Sequence, residues 1–154
     1  MKILYTHDAK KEIMVDDEDY IRLLKYSWRE SSNGIIETGH THEVIANIVM
    51  QDYSHMYDHR DRNPLNNQKE NLRIATRSQN GANRVKFKGK SSKYKGVSFH
   101  KGECRWYAYI RINYKLIHLG KFESEIAAAK CYNIHARHHF GEFAVINRID
   151  ENAS

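Results

Sequence analysis

Two cysteines, Cys104 and Cys131, make a zinc site of four thiolates impossible. Their separation matches no metal or redox spacing, so reduced thiols in a cytosolic protein are expected. Long apolar runs are also missing. The longest, Val44 to Met50, is broken by Asn47 and is far too short to span a bilayer. The opening MKILYTHDAKKE lacks the apolar stretch of a signal peptide. No membrane association is expected, and the setting is read as intracellular. Proline occurs once, at Pro64, and no repeat or low-complexity tract is present.

What is present begins with charge. The chain of 154 residues suits one ordinary domain or two small ones, and an apolar fraction of 40% supports a modest core. The formal charge is +6, unevenly spread. Residues 1–83 hold 11 Lys/Arg against 13 Asp/Glu, a net of −2; residues 84–154 hold 14 against 6, a net of +8. That asymmetry favours a polyanionic partner for the second half.

Residues 1–15 read as a short strand or hairpin. In VDDEDYIRLLKYSW, Asp16 or Asp17 can cap a short helix, and Ile21, Leu24 and Trp28 fall at helical spacing toward a core. Residues 35–50, β-branched and interrupted at Thr38, Gly39 and His40, suggest a hairpin. Residues 57–73 are polar and turn-rich, and 74–83 can form a helix. The stretch 84–93, RVKFKGKSSK, reads as a basic linker. Tyr94 to His100 then reads as a strand. Residues 105–112 alternate strictly, with Trp106, Ala108, Ile110 and Ile112 on one face and Arg105, Tyr107, Tyr109 and Arg111 on the other. Tyr114 to Gly120 gives a third strand. Ser124 caps a helix running to about Phe140, which Gly141 ends.

The strongest chemical signal is YDHRDRNPLNNQKENLRIATRSQN, with Asp58, His59, Asn63, Asn66, Asn67, Asn71 and Asn80. Phosphodiester hydrolysis needs a water deprotonated near neutral pH, and histidine is the side chain best poised for that. It also needs a cation to offset charge on the phosphate. A carboxylate and an amide carbonyl are hard oxygen ligands that suit Mg²⁺. An adjacent Asp-His pair sends its two side chains to opposite sides of an extended strand. A calcium loop starting at Asp61 fails, because Asn66 holds its glycine position and Leu72 its glutamate position.

The order Asp58-His59, Asn66-Asn67, Asn71-Leu72-Arg73, Asn80 resembles the HNH homing endonucleases of phages and mobile introns. The resemblance implies a hairpin and helix gripping one divalent ion, Mg²⁺ or another such as Mn²⁺. It assigns His59 as general base, Asp58 and Asn80 as metal ligands, Asn71 as the residue holding the loop and orienting the histidine, and Arg73 as a phosphate contact. Two departures stand out. Ala46-Asn47 occupies the place of a His-Arg pair in the family, and Arg62 stands where many members have glycine.

Residues 94–147 resemble the AP2 domain of plant transcription factors, through Tyr94-Lys95-Gly96-Val97, Trp106 to Arg111, His118 to Phe122 and the helix segment ending at Asn147. This likeness implies a three-stranded sheet in the major groove of double-stranded DNA, backed by a helix. Lys95, Ser98, His100, Arg105, Tyr107, Tyr109, Arg111 and His118 are the expected DNA contacts. The Trp106 face is expected to bury against Ala128, Ala129 and Tyr132. Ser98, His100, Leu116 and His118 replace family arginines and a tryptophan, so the plant target does not transfer. His135, His138 and His139 lack a fourth ligand and read as a polar helix face.

The expected fold class is α+β: a ββα-metal HNH nuclease module with a β-rich leader over 1–83, the linker 84–93, and an AP2-like antiparallel sheet on one helix over 94–150. The expected function is metal-dependent cleavage of DNA by a phage or mobile-element product. No protein partner is predicted. The alternative that Ala46 and Arg62 allow is a catalytically weak or inactive DNA-binding regulator. A third is an RNA-binding protein using its Tyr-rich sheet.

Overall fold

The computed structural model describes residues 1–84 and 91–149, so most of the linker reading lies outside the described residues. The chain divides into two compact units, Met1–Thr76 and Arg77–Ser154. Elements are mixed α and β, and every sheet among the described residues is antiparallel.

In the first unit, β1 (Lys2–Tyr5) and β2 (Glu12–Val15) form a hairpin, with Leu4 opposite Ile13. Helix α1 (Asp17–Leu23) follows. Strand β3 (Trp28–Glu30) pairs with β4 (Ile36–Thr38), helix α2 covers Ile45–Met50, and β5 (Tyr57–His59) pairs with β6 (Leu72–Ile74). Their apolar faces meet in one core of Leu4, Ile13, Val15, Leu23, Trp28, Ile36, Ile45, Ile48, Val49 and Leu72. Arg22 ties α1 to the end of α2, donating to the carbonyls of Ile48 and Val49 and pairing with buried Asp19.

Three expectations are corrected here. The stripe Ile21, Leu24, Trp28 is not the buried face of α1. Ile21 is 75% and Leu24 52% exposed, whereas Trp28 is buried from β3, with its indole donating to the Leu23 carbonyl at 3.2 Å. The helix is too short for that stripe, and Leu23 fills the core instead. The hairpin expected over 35–50 is a strand followed by a helix. Ile45, Ala46, Ile48 and Val49 are all buried, and tertiary burial outweighs the β preference of their branched side chains. Asp16 stands at the N-cap of α1, but its carboxylate accepts from the Lys69 backbone at 2.8 Å and from Gln68 Nε2 at 3.1 Å.

The second unit starts with α3 (Arg77–Asn83). Strands β7 (Val97–His100), β8 (Arg105–Ile112) and β9 (Lys115–Phe122) follow, in that spatial order, with a register shift at Ala108/Tyr109. Helix α4 (Glu125–Phe140) packs on the sheet. Ser124 caps it, accepting from the Ala127 N–H at 3.1 Å, and Gly141 closes it at φ +51°. Ala108, Ala128 and Ala129 are fully buried, and their small side chains let helix and sheet approach closely. Gly96 is required for that approach. It sits at φ +73°, and a Cβ there would lie 2.0 Å from the Tyr132 ring.

Candidate functional site

Between β5 and β6 runs a loop that its own Asn and Asp side chains hold together. Asn71 is the hub. Its Oδ1 accepts from the Asp61 N–H at 3.0 Å, and its Nδ2 donates to Asp61 Oδ1 at 3.0 Å and to the Asn66 carbonyl at 2.7 Å. Asp61 also accepts from the Asn63 N–H and from Asn66 Nδ2, each at 2.8 Å. Such side-chain bonds substitute for the ladder that a turn-rich segment lacks. Burial pushes the Asp61 carboxyl up, but these hydrogen bonds and nearby His59 outweigh it and leave the group below its ordinary value. Arg62 adopts φ +66°, the left-handed region that glycine occupies without strain, which gives a physical reason for glycine at this turn.

Asp58 and His59 leave β5 on opposite sides. Asp58 is 4% exposed and faces Arg73 directly across the β5–β6 register. Arg73 Nε and Nη2 both reach Asp58 Oδ2, at 3.0 and 2.9 Å. Arg73 therefore lies inside, 8% exposed, rather than at a surface where a phosphate contact was expected. His59 is half-buried, and its Nε2 lies 3.1 Å from Asn67 Oδ1. Asn71 holds the loop, whereas the amide bonded to the imidazole is that of Asn67. Asn80 lies half-buried on α3, in the second unit.

The residues standing at the departure from the family pattern are accounted for. Ala46 is part of the core. Asn47 donates to the carbonyls of Asp52 at 2.8 Å and His55 at 3.1 Å. His55 is itself bound to Asp52 at 2.7 Å. Hydrogen bonds from Ser54, His55 and Tyr57 hold the Asp52 carboxyl well below the usual carboxylate range.

The segment 54–82, spanning the Asp-His pair, the loop and Asn80, matches the family described as HNH endonuclease. An uncharacterised HNH endonuclease of Acanthamoeba polyphaga mimivirus is 34% identical over 134 residues, covering 82% of this chain and 69% of the relative. The chain belongs to the HNH endonuclease family. HNH nucleases generally use a divalent metal ion. Among the described residues of this HNH protein, no three His, Cys, Asp or Glu side chains gather to hold a metal. The donors that the resemblance assigns, the Asp58 carboxylate and the Asn80 amide oxygen, are of a chemistry that would suit a hard cation rather than a zinc-type site.

In the second unit of the HNH protein, Ala108 and Ile110 are buried on one side of β8, and Trp106 packs against the cluster containing Ala128 and Ala129. The other side carries an aromatic group. Tyr107 and Tyr109 stack at 5.9 Å and 14°, His118 lies 4.9 and 5.2 Å from them, and His100 lies 5.3 Å from Tyr107. These neighbours, with Lys121 over the ring at 5.3 Å, leave Tyr107 only 7% exposed. The expectation of an open Tyr107 is corrected: it supports the surface that His100, His118, Arg105 and Arg111 expose. Ser98 and Tyr109 are half-buried on the same face. Arg105 pairs with exposed Glu123 at 3.2 Å.

Lys95 is placed differently from expectation. Its ammonium donates to the carbonyls of Ala82 and Arg84, at 2.5 and 2.6 Å, closing the end of α3. Lys121 was missed, although its place opposite Tyr107 in the register puts it on this face. An ion pair with Glu103 at 2.5 Å raises its pKa. Asn67 belongs to the motif that carries the family resemblance but has no role assigned there, and no spacing rule marks the contact it makes with His59.

Proposed function

We propose that this protein is a homing-type endonuclease that hydrolyses phosphodiester bonds of double-stranded DNA, with Mg²⁺ or Mn²⁺ as cofactor. The observation that carries the reading is the treatment of two neighbouring side chains on β5. The Asp58 carboxylate is gripped by Arg73 on one side of the strand, while His59 is gripped by a buried amide on the other. A metal ligand and a proton acceptor both require fixed directions, and each residue has a device that fixes it. In this reading Asp58 and Asn80 would hold the ion, whose charge offsets that of the phosphate and departing 3′ oxygen. His59 takes the proton from the attacking water. Asn71 keeps the loop closed beneath it.

The second unit is read as an AP2-like domain that supplies affinity and target choice, spanning about residues 94–150 after a basic tether from 84. Support comes from the sheet face, where Arg105, Arg111, His100 and His118 are exposed over stacked tyrosines. Arginine on a sheet can grip phosphate or two acceptors of guanine. The viral origin of the relative supports a virus or mobile-element product acting inside a host cell.

Incubating supercoiled plasmid with and without Mg²⁺ tests the proposal. Relaxation or linearisation only with the ion, lost in a His59→Ala variant that still binds DNA, is expected. Binding without any cleavage by the wild type sinks it and leaves the regulator reading. That second reading draws on Ala46, which serves the core, and on Arg62, which holds a left-handed turn position where many family members have glycine.

A further inference from the structure

Asn67 is the least exposed polar side chain of the nuclease loop, at 0%. One end of its amide meets a group of known polarity, and that settles the other end. Nδ2 lies 2.9 Å from the Pro64 carbonyl, which can only accept, so the nitrogen end is fixed there. The oxygen end must then face His59 Nε2, at 3.1 Å. An amide oxygen can only accept, so Nε2 carries the hydrogen. A neutral imidazole with its hydrogen on Nε2 has its lone pair on Nδ1.

The amide has little room to turn. The Asn67 N–H donates to the Met14 carbonyl at 2.8 Å, and the Met14 N–H donates to the Leu65 carbonyl at 2.8 Å. These two bonds staple the loop to β2 at Leu65 and at Asn67 itself.

We propose that Asn67 is a positioning residue that sets the tautomer of His59 and so selects Nδ1 as the nitrogen that receives the water proton. The inference rests on the reading of His59 as general base. In the step it describes, a water O–H bond breaks and its proton moves to Nδ1. The oxygen attacks phosphorus, and the bond to the 3′ oxygen breaks with its electron pair left on that oxygen, which takes a proton from solvent. The imidazolium keeps its Nε2–H bond to Asn67, now charge-assisted and stronger, and returns the Nδ1 proton to solvent. Asn67 thereby helps most when charge has developed on the ring, which is the differential stabilisation that raises kcat and leaves KM alone.

The test uses the full chain labelled with ¹⁵N-histidine, with Asn67→Leu and Asn67→Asp variants. Nitrogen shifts of His59 report which ring nitrogen carries hydrogen, whether or not the protein cuts DNA. Expected are an Nε2–H tautomer in the wild type and its loss in Asn67→Leu, with kcat lowered about 10²-fold at unchanged KM. Asn67→Asp keeps an acceptor facing Nε2 and retains the tautomer and most of the rate. Should Asn67→Leu fail to fold, the wild type and Asn67→Asp decide. A wild-type hydrogen on Nδ1, or full kcat in a folded Asn67→Leu, overturns the proposal. Undiminished cleavage by His59→Ala instead defeats the general-base reading, a result the nitrogen shifts keep separate.

Discussion

Asp58 and Arg73 form an ion pair whose side chains are 5% and 7% exposed. Removing one partner of such a pair strands the other charge away from water, a cost of roughly 3–5 kcal/mol. Arg73→Ala is therefore expected to destabilise the first unit by that amount in urea unfolding. A loss under about 1 kcal/mol, the range of exposed pairs, contradicts the assigned burial. Asp61 gives a pH signature. Its folded pKa lies below the ordinary 3.8, so its stabilising contribution is present above that value and fades as pH falls through the folded pKa. Asp61→Asn is expected to flatten the acid limb of the stability profile, while an unchanged limb counts against the loop's bonding scheme. Much of this site was legible in the sequence: the Asp-His pair, its alternation across a strand, and the Asn-rich loop. The inward turn of Arg73 and the grip of Asn67 were not. Both depend on which residue faces which across β5 and β6 and on loop closure, and spacing carries neither.

Among the elements, regular patterns read well where packing and propensity agree. The alternation of residues 105–112 is β8, and Ser124 and Gly141 bound α4. Patterns failed where they conflict. The β-branched Ile45–Met50 is helical because the core needs those side chains, and Ile21 and Leu24 keep helical spacing yet point outward. Gly96 marks a place where one element limits another. Gly96→Ala brings a Cβ against the Tyr132 ring of α4 and forces an L side chain into φ +73°. Overpacking and left-handed strain together are expected to cost about 3 kcal/mol. Thermal unfolding monitored at the second unit checks this, and an unchanged melting temperature argues against the close helix-sheet approach.

For the molecule as a whole, charge and chemistry are divided along the chain. The net of +8 over residues 84–154 stands against −2 over 1–83. DNA affinity is accordingly expected to fall steeply with salt as released counterions drive binding. Arg111→Glu should reduce the slope of log affinity against log salt by about 1, read by fluorescence anisotropy; an unaltered slope removes this sheet face from the interface. Hydrolysis itself is assigned to a single side chain on the acidic half. Single-turnover cleavage at saturating protein and Mg²⁺, wild type beside His59→Ala, isolates that chemistry from binding. A rate reduced on the order of 10²–10⁴-fold is predicted; equal rates would contradict the assignment of the water's proton to His59.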